Sequence, residues 1–306
     1  MSDVVEAPRR ARSMAEFAAI QGRMFTPQEL GAGLTGWKPR ATDVVIAPFG
    51  KCGTTWLQQT FHTLRTRGDM DFDDISRVVP WIETAAVCGL DIEAPQRAEP
   101  RGFKSHLPYF MLPKGAKSVV SFRDPKDAMV SMYRFMEGWF IEPGAVSIAD
   151  FVRPRIEKPD DRMSYWSHLL SWWEQRDNPD VLLLSYEYMT DRPEDTIRRL
   201  AAFAGIPLDD ALLALTLERS SLSFMLEHKD RFDDFLMRGV SERRCGLPPG
   251  SDSAKVRKGG VGGHVKELPP ELAAELDRIW AEVAAPKTGF ADYAALETAL
   301  RRRMAG

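Results

Sequence analysis

Hydrophobic positions along the chain form two alternating patterns, short unbroken apolar runs and longer stretches with an apolar residue every three or four positions. Asp43–Ala47 (DVVIA), Ser118–Phe122 (SVVSF) and Val181–Ser185 (VLLLS) are of the first kind. Short, largely apolar and without a polar face, they predict strands covered on both sides, as in a parallel sheet. Each precedes a helical pattern. Thr54–Arg67 places Trp56, Leu57, Thr60, Phe61 and Leu64 at helical spacing and closes on Gly68. Lys126–Trp139 follows Pro125, whose fixed φ suits a first helical turn, and Glu194–Ala204 follows Pro193. From Ser13 a short amphipathic helix is expected, with Met14, Phe17, Ala18 and Met24 near one face; Pro27, Gly31, Gly33, Gly36 and Pro39 then interrupt the pattern.

Strands alternating with helices predict an α/β fold: a single domain with a central parallel β-sheet flanked by helices, over residues 37–306, behind a leader and short helix at 1–36. In such sheets ligands bind beyond the carboxyl ends of the strands, so the residues after Ala47 and Phe122 matter most. A chain of 306 residues, 44% hydrophobic and 28% charged, has the composition of a globular protein. The net charge of −3 gives no global basic field for nucleic acid, so any anion site is local. Cys52, Cys88 and Cys245 are odd in number and lack CxxC spacing, which points to a reducing, cytoplasmic setting. No apolar run is long enough for a membrane span. The acidic pairs Asp73-Asp74, Asp160-Asp161, Asp209-Asp210 and Asp233-Asp234 read as caps and solvated turns, and no metal site is expected.

Three segments carry chemistry. Pro48-Phe49-Gly50-Lys51-Cys52-Gly53-Thr54-Thr55-Trp56 joins a strand to a helix, with glycines that let backbone amides turn inward, hydroxyls, and a helix N-terminus. It is an anion cradle but not a nucleoside-triphosphate loop, because its Lys precedes the second Gly by two residues. Arg123-Asp124-Pro125-Lys126-Asp127 with Ser131 again sets a cation at a strand end and a hydroxyl in the next helix. Arg257-Lys258-Gly259-Gly260-Val261-Gly262-Gly263-His264 joins two cations to four glycines. Together they imply a ligand with phosphate-like groups at two separated ends.

In order and spacing these segments resemble the cytosolic-type sulfotransferase family, which uses 3′-phosphoadenosine 5′-phosphosulfate (PAPS) and releases 3′-phosphoadenosine 5′-phosphate (PAP). The likeness rests on Lys51-Cys52-Gly53-Thr54-Thr55-Trp56, Lys104-Ser105-His106-Leu107-Pro108, Arg123 with Ser131, Tyr186-Glu187 with Met189, and Arg257-Lys258-Gly259. The resemblance implies a P-loop-like phosphosulfate-binding loop at Lys51–Trp56, with Arg123, Ser131, Arg257, Lys258 and Gly259 on the 3′-phosphate, Trp56 and Phe224 beside the adenine, and Tyr186 reaching the nucleotide. Cys52 stands where the family has Ser, Gly262-Gly263-His264 where it has Gly-Asp-Trp, and Pro270 and Glu271 interrupt its dimer segment, leaving the oligomeric state open.

On this reading a sulfuryl group passes to a hydroxyl, or an amine, of a small apolar acceptor. His106 is the expected general base, since its ordinary pKa of about 6.5 suits proton transfer near neutrality. Lys104 shares its face in an extended segment, and Lys51 offsets charge on the leaving phosphate. Phe49, Trp81, Tyr109, Phe110, Phe135, Trp139 and Phe140 are candidates for the acceptor pocket. A nucleotide-dependent phosphotransferase and a non-catalytic 3′,5′-bisphosphate binder are the alternatives, though binding alone needs no base.

Overall fold

The computed structural model describes residues 7–253, 255–257 and 259–305. At its centre are β1 (Val44–Ile46), β2 (Gly102–Lys104), β3 (Lys117–Phe122) and β4 (Val181–Ser185), in the order β2-β1-β3-β4 and parallel throughout. In register, Val45 faces Phe103 on one side and Ser118 on the other. The three apolar runs are strands as expected, because residues without a polar face are stable only under cover on both sides. β2 was not expected as a strand. Its three residues include a Gly and a Lys, and only pairing with β1 makes them one.

The helices that position the site are α1 (Met14–Gln21), α2 (Pro27–Gly36), α3 (Thr54–Thr66), α4 (Pro125–Trp139), α5 (Tyr165–Trp173), α6 (Pro193–Ala204) and α7 (Phe235–Cys245). α3 departs from a simple amphipathic helix, for every residue from Leu57 to Arg65 is buried. Hydrogen bonds satisfy part of this buried polarity: Gln58 Nε2 donates to Val79 O at 3.2 Å, and Gln59 Nε2 to Thr63 Oγ1 at 3.2 Å. Ahead of residue 37, Phe17, Ile20 and Met24 enter the same core, and Ala11 bridges to Ile141.

At the amino end of the sheet, Arg101 is buried against Asp43, with Nε to Oδ1 at 2.9 Å and Nη2 to Oδ2 at 2.7 Å. A bidentate pair of this kind offsets the cost of taking both charges out of water. Asp43 O also accepts from Lys117 N at 2.9 Å, so the pair fixes where β1, β2 and β3 begin.

Candidate active site

Past the carboxyl end of β1 the chain makes a tight loop into α3. Lys51 (φ 69°) and Gly53 (φ 98°) both hold left-handed conformations, which turn successive amides to one side. The φ of Gly53 disfavours any side chain, and a Cβ there would sit 3.0 Å from Met189 Cε and 3.1 Å from Tyr186 Cδ2, so both would have to move back. The loop's carbonyls are held from behind. Ser121 Oγ donates to Cys52 O, and Arg123 Nη1 donates to Lys51 O at 2.9 Å. No side chain caps α3, whose first-turn amides therefore remain open, and Thr54 Oγ1 is buried without a partner. These are the features of a cradle for an oxyanion. Burial pushes the Cys52 thiol up to about 12, so it stays protonated and serves as packing.

Arg123, at the end of β3, lies with its guanidinium 4.2 Å from the Tyr186 ring centroid and donates to Gly260 O at 3.3 Å. Its Nε is buried with no partner among the described residues. Ser131 and Arg257 line the same cavity. Asp127, in the first turn of α4, has no role of its own in the sequence segment that ends with it, yet it anchors the glycine-rich loop. Its Oδ2 accepts from Gly262 N at 2.7 Å, and its Oδ1 from His264 N at 2.9 Å.

Lys104 and His106 leave the end of β2 on the same side, as the alternation of an extended segment requires, and both face the cavity. His106 Nδ1 is 2.7 Å from Pro48 O, a carbonyl that can only accept, so Nδ1 carries the proton and Nε2 is left basic. Burial and the Lys104 ammonium hold the imidazole well below its ordinary pKa, hence neutral. Glu83 fixes its backbone, accepting from His106 N at 2.8 Å and from Ser105 Oγ at 3.1 Å. The Trp81 ring stands edge-on to His106 at 5.1 Å and takes the Lys104 ammonium at 4.0 Å over its face.

Two further groups join this end of the site. Asp234, with φ 50° just ahead of α7, brings its Oδ1 to 2.5 Å from Lys255 Nζ and 4.0 Å from Lys104 Nζ. The sequence reading placed Asp233-Asp234 in a solvated turn. Both are buried instead, because each finds a cation in the folded chain. Burial, followed by repulsion from Lys255, pushes Lys51 down to about 7 and Lys104 down to about 8.

One cavity of about 1080 Å³ lies beyond the carboxyl ends of the four strands. It brings together Lys51, Gly53, Thr54, Thr55, Trp56, Lys104, His106, Arg123, Ser131, Tyr186, Arg257 and Gly259. Cys52 lies buried behind the loop, and Lys258 falls outside the described residues. Phe224 does not reach the cavity. It packs on His228 at 4.4 Å between ring centroids, and Leu222 and Met225 take the wall, because the turns of the helix Leu222–Glu227 point those two inward. Of the aromatic candidates, Trp81, Phe135, Trp139 and Phe140 line the cavity. Phe49 packs on Tyr165 and His168, Tyr109 on Trp172, and Phe110 is exposed.

Comparison with known proteins accords with this geometry. Residues 41–288 match the family described as the sulfotransferase domain. The chain is 29% identical over 288 residues to cytosolic sulfotransferase 13 of Arabidopsis thaliana, covering 89% of this chain and 87% of that protein. It is 32% identical over 199 residues to sulfotransferase 1E1 of Bos taurus, covering 62% and 68%. In fold it is similar to retinol dehydratase solved in complex with androsterone and the inactive cofactor PAP, with a TM-score of 0.68, 20% identity and 86% of each chain covered.

Proposed function

Since the chain belongs to the sulfotransferase domain family and transfers a sulfuryl group from PAPS to a small acceptor, we propose that His106 is the general base of that transfer and that Lys51 and Lys104 carry its charge. The observation that carries this reading is the 2.7 Å contact of His106 Nδ1 with Pro48 O, which leaves a neutral imidazole with Nε2 as acceptor, in one cavity with the Lys51 and Lys104 side chains. Bound PAPS supplies the sulfuryl group and a phosphate leaving group. His106 Nε2 takes the proton of the acceptor hydroxyl as its oxygen bonds to sulfur. Lys51 and the open amides of α3 offset the charge that grows on the departing phosphate oxygen, and Lys104 that on the sulfuryl oxygens.

The residues suit that donor. The cradle after β1 has open amides and a Thr54 hydroxyl with no partner among the described residues, and Arg123, whose Nε also has none, lines the cavity together with Ser131 and Arg257. We assign the first group to the phosphosulfate and the second to the 3′-phosphate, with Trp56 and Tyr186 against the nucleoside. Trp81, Phe135, Trp139 and Phe140 form the wall for an apolar acceptor body. The catalytic unit is taken as residues 37–306. Three free cysteines fit a cytoplasmic setting, and among the described residues no helix is long and apolar enough to cross a membrane. The test is a screen with sulfur-labelled PAPS against phenols, alicyclic alcohols and amines, run for wild type and His106→Ala. Labelled product that His106→Ala forms as fast as wild type would refute the base assignment.

A further inference from the structure

Lys104, the lysine assigned to the sulfuryl oxygens, has two neighbours that hold its ammonium. Its Nζ lies 4.0 Å from the centroid of the Trp81 ring and 4.0 Å from Asp234 Oδ1. The second distance is too long for a hydrogen bond. Lys255 occupies that oxygen instead, its Nζ at 2.5 Å. The side chains of Lys104, Asp234 and Lys255 are only 3%, 5% and 8% exposed, so solvent screens their charges little. Among the described residues Asp234 is the one carboxylate within 4.0 Å of a lysine of the cavity wall. The neighbouring carboxylates are committed elsewhere. Asp233 serves Arg238 at 3.0 Å and the Ser253 amide at 3.1 Å, Asp74 the amides of Ser76 at 2.7 Å and Leu236 at 2.9 Å, and Glu83 the amide of His106 at 2.8 Å.

Two ammonium groups thus compete for one carboxylate oxygen, and the closer one decides where the other stands. Lys255 precedes Arg257 by two residues. The chain around them is fixed on both sides, by Asp233 at the Ser253 amide and by Asp127 at the amides of Gly262 and His264. The group that takes Asp234 therefore comes in on the stretch that carries Arg257. Without Lys255, a shift of about 1 Å would bring Lys104 Nζ into hydrogen-bond range of Asp234 Oδ1. The buried pair so formed would hold the ammonium at Asp234 instead of leaving it for the sulfuryl oxygens. Without Asp234, Lys104 would face Lys255, Lys51 and the neutral His106 with only the committed carboxylates of Asp74 and Glu83 to offset them, and would lose its proton below the value of about 8 that burial and Lys255 already impose. We propose that Lys255 is a positioning residue of the sulfuryl transfer: by occupying Asp234 it leaves the Lys104 ammonium unpaired over Trp81, so that seating the Arg257 segment readies the lysine at the other end of the donor. The proposal rests on the role of Lys104 in the sulfotransferase reading of the cavity.

Calorimetry with PAP, and kinetics with labelled PAPS and the acceptor that the screen labels fastest, test it on wild type, Lys255→Met, Asp234→Asn and the double variant. Lys255→Met should lower kcat about 10- to 100-fold, the worth of the charge-assisted bond that Lys104 would then have to break, while KM for PAPS changes by less. Proton uptake on PAP binding at pH 8 should fall by about half a proton, because a Lys104 paired with Asp234 is already charged. Asp234→Asn should act the other way, raising the uptake by up to about half a proton and moving the basic limb of kcat/KM for PAPS to lower pH. The double variant removes both competitors and should turn over at least about fivefold faster than Lys255→Met. A double variant as slow as Lys255→Met overturns the proposal, since a lysine that touches the donor itself, or only supports the fold, gives a loss that removing Asp234 does not reverse. Unchanged proton uptake in Lys255→Met overturns it as well. If Lys255→Met does not fold, the uptake and the pH limb of Asp234→Asn decide. Lys104→Met separates the two levels: normal kcat there refutes the role of Lys104 beneath the proposal, whereas a slow Lys104→Met with an unreversed double variant refutes the role of Lys255 alone.

Discussion

Binding of PAP to this protein should take up protons, and the amount follows from the two lysines in the cavity. In the nucleotide-free chain Lys51 is held at about 7 and Lys104 at about 8, by burial first and by the nearby Lys255 second; Asp234 opposes the shift in both, joined at Lys104 by Asp74 and Glu83. A bound phosphate favours the ammonium form and raises both pKa values towards the ordinary lysine range of about 10. At pH 8 the free protein holds about a tenth of a proton on Lys51 and about half on Lys104, so binding takes up about 0.9 and 0.5 respectively. The sign is definite: groups whose pKa rises in the complex bind protons, and affinity is lost as pH rises. The dissociation constant should grow roughly 25-fold per unit around pH 8. Calorimetry at pH 8 in buffers of different ionisation enthalpy reads the uptake directly. Working above pH 7.5 keeps the nucleotide's own phosphates, with second pKa values of about 6, from releasing protons of the opposite sign. Uptake below about 0.2 proton would show that both lysines are already charged in the free protein, and the electrostatic account of the cavity would fail. Lys51→Met should remove most of the uptake and flatten the pH dependence.

His106→Ala should lower kcat by roughly 10²–10⁴ while PAP affinity changes little, because Nε2 serves the acceptor; a parallel loss in PAP affinity measured by calorimetry would place it on the donor instead. Arg123→Ala should weaken PAP by about 1.5–3 kcal/mol and 5′-AMP much less, since its unpartnered Nε is assigned to the 3′-phosphate; calorimetry with both nucleotides checks this, and equal losses would count against it. Asp127→Ala removes the acceptor for the Gly262 and His264 amides, so hydrogen exchange at 259–266 should quicken and PAP should no longer restore full protection. Arg101→Met leaves Asp43 buried without its cation and should cost about 3–5 kcal/mol in urea unfolding, with PAP affinity retained by the fraction that stays folded.

The sequence by itself determined the elements whose local pattern has one reading. The runs at Asp43, Ser118 and Val181 are strands, because an apolar stretch with no polar face needs cover on both sides. Gly53 and the amides that follow it make a cradle for a similarly local reason, since a left-handed turn at a helix start leaves N–H groups pointing outward. Lys104 and His106 share a face because an extended chain alternates.

Only the tertiary structure decided the rest. Gly102–Lys104 becomes a strand by pairing with β1, and the polar face of α3 goes inside because partners elsewhere in the chain receive its hydrogen bonds. Phe224 carries the right residue type but faces the wrong way. Asp127 reaches Gly262 across 135 positions, and Asp234 reaches Lys255 across 21. In the sequence Asp234 reads as part of a solvated turn, and Asp127 only as the end of the segment after Phe122. Their burial depends on where the fold brings a cation or an open amide, and a charge leaves water only when such a partner is waiting. Residue order records local propensity and which faces must be covered, while the pairing of distant charges is written in the packing of the folded chain.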